Sequence, residues 1–326
     1  MAYEVMDLVP VSKIIVEKCA AVAPDEDVLL LTDTTTHPSV LDAMIASIRN
    51  VGARVTVVAR TFPRRPHDLP PAPVSWAMKG ATMIFDLSRY DILHTLPIRE
   101  ALFDYGARYI GVANQTPQTF LAPNLADVDY DKTYADACRL IEVLERGSTL
   151  RYTSPNGTDL KADIRGRKWY PLAGVAREPG RVAMIPIGEV FGLGVHGGTS
   201  GTVVLESLQA FGRLSTPIVL QVEGSWVTKV EGGEEAERLR TMWAQVENAN
   251  YIGELGGIGL NPKAKVSGRL DANEESMMLG AVHIGFGDSL TYGGRVSSRM
   301  HLNGVITNVT VEVDGRPVVA DGQIRV

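Results

Sequence analysis

The stretch DVLLLTD, residues 27–33, decides the reading of the first half of the chain. It is an apolar run of leucine and a β-branched residue, closed by polar residues. A fully apolar strand of this kind is buried on both faces, as in a parallel sheet covered by helices. The flanking sequence agrees. HPSVLDAMIASIRNVG (37–52) carries apolar residues at helical spacing, with Pro38 near its start and Gly52 at its end. ARVTVVAR (53–60), ATMIFDLSR (81–89) and RYIGVAN (108–114) read as further strands. IREALFDYGAR (98–108) and DYDKTYADACRLIEVLERG (129–147) read as helices that stop at glycine. Strand and helix in alternation predict βαβ units. The turn after the first strand, TDTTTHPS (32–39), has no glycine fingerprint for a dinucleotide. Threonines at a helix N-terminus can hold phosphate, but a capping turn is the simpler reading.

From Ser148 the character changes. Short strands alternate with glycine-rich turns in TLRYTSPNGTDLKADIRGR (149–167), GTVVLES (201–207), TPIVLQVEGSWVTKVEGG (216–233) and TNVTVEVDGRPVVADGQIRV (307–326). The Asn-Gly of PNGT and the Asp-Gly of VDGR are hairpin signals. One helix interrupts, over 234–250. The sequence therefore predicts an α/β chain in two parts: an N-terminal parallel-sheet domain, 1–147, and a β-rich α+β domain, 148–326.

Composition narrows the function. A net charge of -6 with no dominant basic patch argues against nucleic acid. No apolar run reaches the roughly 18 residues of a membrane span. The N-terminus lacks the pattern of a secretory signal. Cys19 and Cys138 are too few for a disulfide framework, and the expected compartment is a reducing cytoplasm.

The chemistry concentrates in four C-terminal stretches. IPIGEVFGLGVHGG (185–198) holds Glu189 and His196, and NANYIGELGGIGLNPKA (248–264) holds Glu254 and Asn261. GAVHIGFGDSLTYGG (280–294) holds His283, Asp288 and Tyr292, and SSRMHLNGV (297–305) holds His301 and Asn303. Glu189 and Glu254 sit among apolar residues and glycines, where a carboxylate loses hydration and needs a cation or donors. Taken singly, each fits a turn carboxylate or a structural histidine, and GVHGG around His196 fits a loop. Taken together, two carboxylates and two histidines suit a divalent zinc, cobalt, manganese or iron ion.

These stretches, from SPNGTDL through IPIGEVF, GELGGIGLNPKA, HIGFGDSLTYGG and HLNGV to the closing VEVDGRPVVADG, resemble the metallo-aminopeptidase family of aminopeptidases T and S in order and spacing. The resemblance implies one or two divalent ions per chain, held by Glu189, Glu254, His283 and His301 with Tyr292 nearby. It further implies a homodimer and a short-peptide or other small substrate. Glu189, Glu254 and Tyr292 would serve a metal-activated water that releases N-terminal residues. The family's His-x-Asp is here His301-Leu302-Asn303, so Asn303 offers a neutral carbonyl in place of a carboxylate. A second resemblance is to the iron-dependent dioxygenase that opens the ring of 2,5-dihydroxypyridine. It implies a single Fe(II) held by two histidines and one carboxylate, a set available as His283, His301 and Glu254. On motifs the aminopeptidase ranks first.

Overall fold

The computed structural model describes residues 4–61, 69–90, 92–93, 95–112, 114–265, 277–290 and 293–326. The chain forms two compact units, Met1–Tyr134 with Leu172–Ile187, and Ala135–Pro171 with Gly188–Val326.

The first unit is helical at its start, with α1 (Val5–Lys13) continuing as a π-helical turn through Cys19. Then follow β1 (Asp27–Asp33), α2 (Pro38–Asn50), β2 (Arg54–Arg60), α3 (Ala72–Lys79), β3 (Met83–Asp86), α4 (Leu96–Phe103) and β4 (Arg108–Gly111). Two short helices, α5 (Pro117–Phe120) and α6 (Pro123–Ala126), lead to the long α7 (Tyr130–Arg146). The parallel sheet has the order β2-β1-β3-β4, and β1 pairs with β2 in register from Asp27↔Arg54 to Asp33↔Arg60. Alternate residues of the inner strands enter opposite cores. Leu30, Phe85 and Ile110 pack with α1 and α2, whereas Leu29, Leu31, Ile84 and Tyr109 pack with α3 and α4. That double burial is why these strands read as continuous apolar runs. The turn after β1 is a cap: Asp33 accepts from the Thr35 backbone at 2.8 Å and hydroxyl at 2.7 Å, and the His37 ring accepts from Ser39 N–H at 3.3 Å.

The second unit is built on a large, mostly antiparallel sheet. Its first strands are β5 (Thr149–Thr153), β6 (Asp159–Asp163) and β7 (Trp169–Leu172). The chain then lends β8 (Val182–Met184) to the parallel sheet, beside β4. By sequence position these residues belong with the β-rich part; nothing local in VAM marks a parallel partner, because the pairing is with a strand far back in the chain. The sheet resumes with β9 (Glu189–Gly192), β10 (Thr199–Leu208), β11 (Gly212–Glu223) and β12 (Trp226–Glu231). After α8 (Glu234–Ala244) come β13 (Ile252–Glu254), β14 (Gly257–Gly259), β15 (Val282–Gly287), β16 (His301–Ile306), β17 (Thr310–Val313), β18 (Arg316–Ala320) and β19 (Gln323–Ile324). Both predicted hairpins form: β5 pairs with β6 across Asn156-Gly157, and β17 with β18 across Asp314-Gly315, where φ is +49° and +79°. α8 ends at Ala244, short of the expected 250, and turns through Asn248 at φ +59° replace the remaining helix. Among the described residues no helix is long and apolar enough to cross a membrane.

Candidate active site

β9, β14, β15 and β16 lie side by side, and β13 also pairs with β15. Their register decides which side chains meet. In the antiparallel β15–β16 pair, His283 is opposite Val305, Gly285 opposite Asn303 and Gly287 opposite His301. Opposed residues share a face, so His283, Asn303 and His301 line one side while Ile284 and Phe286 point to the other. Ile258 of β14 pairs with Val282 and with Val190 on that other side. Gly257, Gly259 and Glu189 therefore fall on the His283 side. Glu254 joins them through a β-bulge between Ile252 and Glu254, which sets it opposite Gly285. An unbulged ladder would put Glu254 opposite Ile284, facing the core.

Glycine clears this face. A Cβ on Gly257 would lie 2.2 Å from Glu189 Oε2 and 2.4 Å from His283 Nδ1, and one on Gly285 would lie 2.9 Å from Glu254 Oε2 and 3.3 Å from Asn303 Oδ1. In the cleared space the side chains contact one another in series. Glu189 Oε2 is 3.5 Å from His283 Nδ1, His283 Nε2 is 3.9 Å from Glu254 Oε1, and Glu254 Oε2 is 3.6 Å from His301 Nε2. Glu189, Glu254 and His283 are buried, whereas the His301 side chain is 29% exposed and forms the open end. Gly257 N–H donates to His283 Nε2 at 3.2 Å.

Burial pushes the Glu189 carboxyl up to about 7 against the pull of His283, with the Glu254 charge adding to the rise. For His283, burial works to lower the pKa, but the carboxylates of Glu189 and Glu254 outweigh it and the net shift is upward. Glu189 Oε2, His283 Nδ1 and Asn303 Oδ1 are buried with no hydrogen-bond partner among the described residues. Two of these are oxygen acceptors in a dry, carboxylate-rich place, which is the condition a cation relieves. In kind, imidazole and carboxylate donors fit a divalent ion. In arrangement they are paired rather than convergent: among the described residues no three His, Cys, Asp or Glu side chains form a ready-made cage.

Of the residues singled out in the sequence, Glu189, Glu254, His283, His301 and Asn303 come to one face. Tyr292 lies outside the described residues. Two contacts were not foreseen. The buried Tyr152 hydroxyl, from β5, donates to the Leu255 carbonyl next to Glu254. The His196 ring meets the Tyr251 hydroxyl at 3.0 Å. Neither carries a local signal, since both partners are far apart in sequence.

The model of the family described as NicX, 2,5-dihydroxypyridine 5,6-dioxygenase, matches residues 8–326. The chain belongs to this family. A 2,5-dihydroxypyridine 5,6-dioxygenase of Pseudomonas putida KT2440 is 27% identical over 264 residues, 76% of this chain and 72% of that protein. The solved structure of 2,5-dihydroxypyridine dioxygenase from the same organism superposes with a TM-score of 0.86 at 20% identity, covering 99% of this chain and 98% of that one. AmpT from Thermus thermophilus superposes with a TM-score of 0.73 at 18% identity, covering 98% of this chain and 99% of that one.

These findings reverse the ranking made on motifs. The ring-opening family, placed second, is the one the NicX model matches, and the aminopeptidase likeness is one of fold. The reason lies in the motifs themselves. GELGGIG and HIGFG are spaced by the need to clear one sheet face, so their glycines follow the fold rather than the reaction. Hydrolase and peptidase activity find no support beyond that shared architecture.

Proposed function

We propose that the chain is an Fe(II)-dependent dioxygenase that opens a dihydroxylated pyridine or similar hydroxylated aromatic ring. The observation that supports this reading best is the match to the ring-opening family over residues 8–326. The donor set on the glycine-cleared face is in keeping with it.

His283 and His301 offer imidazole nitrogen and Glu254 a carboxylate, the two-histidine, one-carboxylate set of non-haem iron oxygenases. Bound there, Fe(II) supplies open coordination positions and the electron transfer that lets dioxygen react with an electron-rich ring. Glu189, whose carboxyl is raised to about 7, is poised to take the proton of a ring hydroxyl at Oε2 and return it near neutral pH. The same oxygen lies 3.5 Å from His283 Nδ1. Asn303 Oδ1 adds a neutral acceptor where the resembled motif has a carboxylate, leaving the site less negative by one charge. In the overall reaction the bond between two ring carbons breaks and both atoms of dioxygen enter the product, so no further oxidant is needed.

The test is oxygen consumption by Fe(II)-loaded protein given 2,5-dihydroxypyridine. Uptake of equimolar dioxygen with loss of the ring absorbance is expected. Folded, iron-loaded protein that consumes no oxygen with a panel of dihydroxylated pyridines and benzenes would overturn the reading.

A further inference from the structure

In the first unit, α3 and α4 are apolar on two faces. Their inner faces pack on the parallel sheet through Val74, Met78, Ile98, Ala101 and Leu102. A surface helix ordinarily turns polar residues outward. Here Trp76 of α3 is 67% exposed, and Leu96 and Phe103 of α4 are 62% and 70% exposed. Tyr105, just past the end of α4, is 54% exposed. The four belong to one patch. Lys79 Nζ lies 4.7 Å from the centre of the Trp76 ring and 5.6 Å from that of Tyr105, and it is paired with Glu100 at 2.8 Å. Leu96 and Phe103 stand four residues before and three after Glu100, so they share its side of α4. The cation and the anion inside the patch thus neutralise each other. The three rings alone leave roughly 400 Å² exposed, within the range of patches that serve binding.

Charges of both signs border this patch. Arg99 and Asp104 lie at α4, and Glu178 and Arg181 lie in the turn whose Gly180 approaches the Phe103 ring. All four are exposed, and among the described residues none of them forms an ion pair. A rim of one sign would suit an anionic membrane or an oppositely charged protein. A rim with two cations and two anions suits a surface that carries the same arrangement, and a two-fold axis presents one. Arg99 precedes Asp104 along α4, so an antiparallel crossing of two such helices brings opposite charges together.

We infer that this face joins two copies of the chain about a two-fold axis, with the Trp76 and Phe103 rings at its centre and Arg99 of each copy against Asp104 of the other. Buried aromatic side chains supply most of the energy of such a contact, and the charged rim sets its register. The inference does not depend on the ring-opening reading, and its test needs no turnover.

Sedimentation equilibrium of the full chain at micromolar concentration is expected to give the mass of two copies. Trp76→Glu and Phe103→Glu should each raise the dissociation constant at least about thirtyfold. Both side chains are exposed, so the dichroism spectrum and Tm of the variants should match wild type. The rim gives a second test. Arg99→Asp and Asp104→Arg should each weaken self-association by about tenfold, because each sets like charges opposite one another. An equimolar mixture of these two variants should associate as wild type does, since each then meets its opposite. A wild type that stays monomeric, or Trp76 and Phe103 variants that associate as it does, overturns the inference. So does a mixture no more associated than its components. A monomeric wild type that co-sediments with phosphatidylglycerol vesicles would put a lipid surface in place of the second copy.

Discussion

A methyl group on Gly257 would lie 2.2 Å from Glu189 Oε2, inside any contact distance, and the obstacle is a buried side chain with nowhere to move. Gly257→Ala should therefore displace Glu189 and His283 and weaken divalent metal binding by about 10- to 100-fold, as loss of outer support commonly does. Calorimetric titration with Mn(II) or Fe(II) checks this, with far-ultraviolet dichroism confirming the fold. Asn303→Asp should act in the opposite direction, adding a charge next to Glu254 Oε2 and tightening metal binding in a chelator competition. Protons compete for the same atoms. Glu189 is raised from its ordinary 4.5 to about 7, and His283 is raised above 6.5. In metal-free protein the folded state thus holds more protons than the unfolded chain from about pH 4.5 to above 7. The stability this confers is complete below that window and falls as pH rises through it. Metal displaces the protons, so the rise in Tm on adding metal should be larger at pH 8 than at pH 5.5. A rise that is equal or smaller at pH 8 would contradict this assignment. The residue types of the site were legible because carboxylates and imidazoles rarely sit among glycines and aliphatic residues without a task. Tyr152 was not, since it looks like any residue of a hairpin until its distant partner is known.

At the level of elements, the site depends on a bulge and on the hairpin behind it. The bulge before Glu254 turns its carboxylate to the open face. Tyr152 of β5 fixes the following turn by donating to the Leu255 carbonyl. Tyr152→Phe removes that bond and leaves a buried carbonyl short of a donor, so stability should fall by about 1–2 kcal/mol. A lower urea midpoint at unchanged m-value is the expected result, together with weaker metal binding through the loosened Glu254; an unchanged midpoint would show that the hydroxyl bond contributes nothing. The hairpins at Asn156-Gly157 and Asp314-Gly315 could be read directly, because their turn chemistry is local. The bulge could not: it is defined by the register of β15, and a sequence of alternating glycines fits either register. β8 was missed for a related reason, its partner being β4, far back in the chain.

Across the whole molecule, a metal that binds only the folded state adds to stability. Ligand at about a hundredfold excess over its Kd stabilises by about 2.7 kcal/mol. Hydrogen exchange should therefore slow most in β9, β13, β15 and β16 when metal is added. Unchanged exchange in these four strands would place the ion elsewhere. The fold class was readable from the apolar strands and the glycine-rich turns, since both are consequences of burial and backbone geometry. The choice between two families sharing that fold turned on a few side chains above one sheet face, which spacing alone does not distinguish. The central claim is that Glu254, His283 and His301 together hold a divalent ion on that face. Elemental analysis after anaerobic Fe(II) loading and gel filtration tests it most directly, on wild type and on Glu254→Gln, His283→Ala and His301→Ala. Stoichiometric iron in the wild type and little in each folded variant is predicted; iron retained in full by the variants, or absent from the wild type, would contradict the claim.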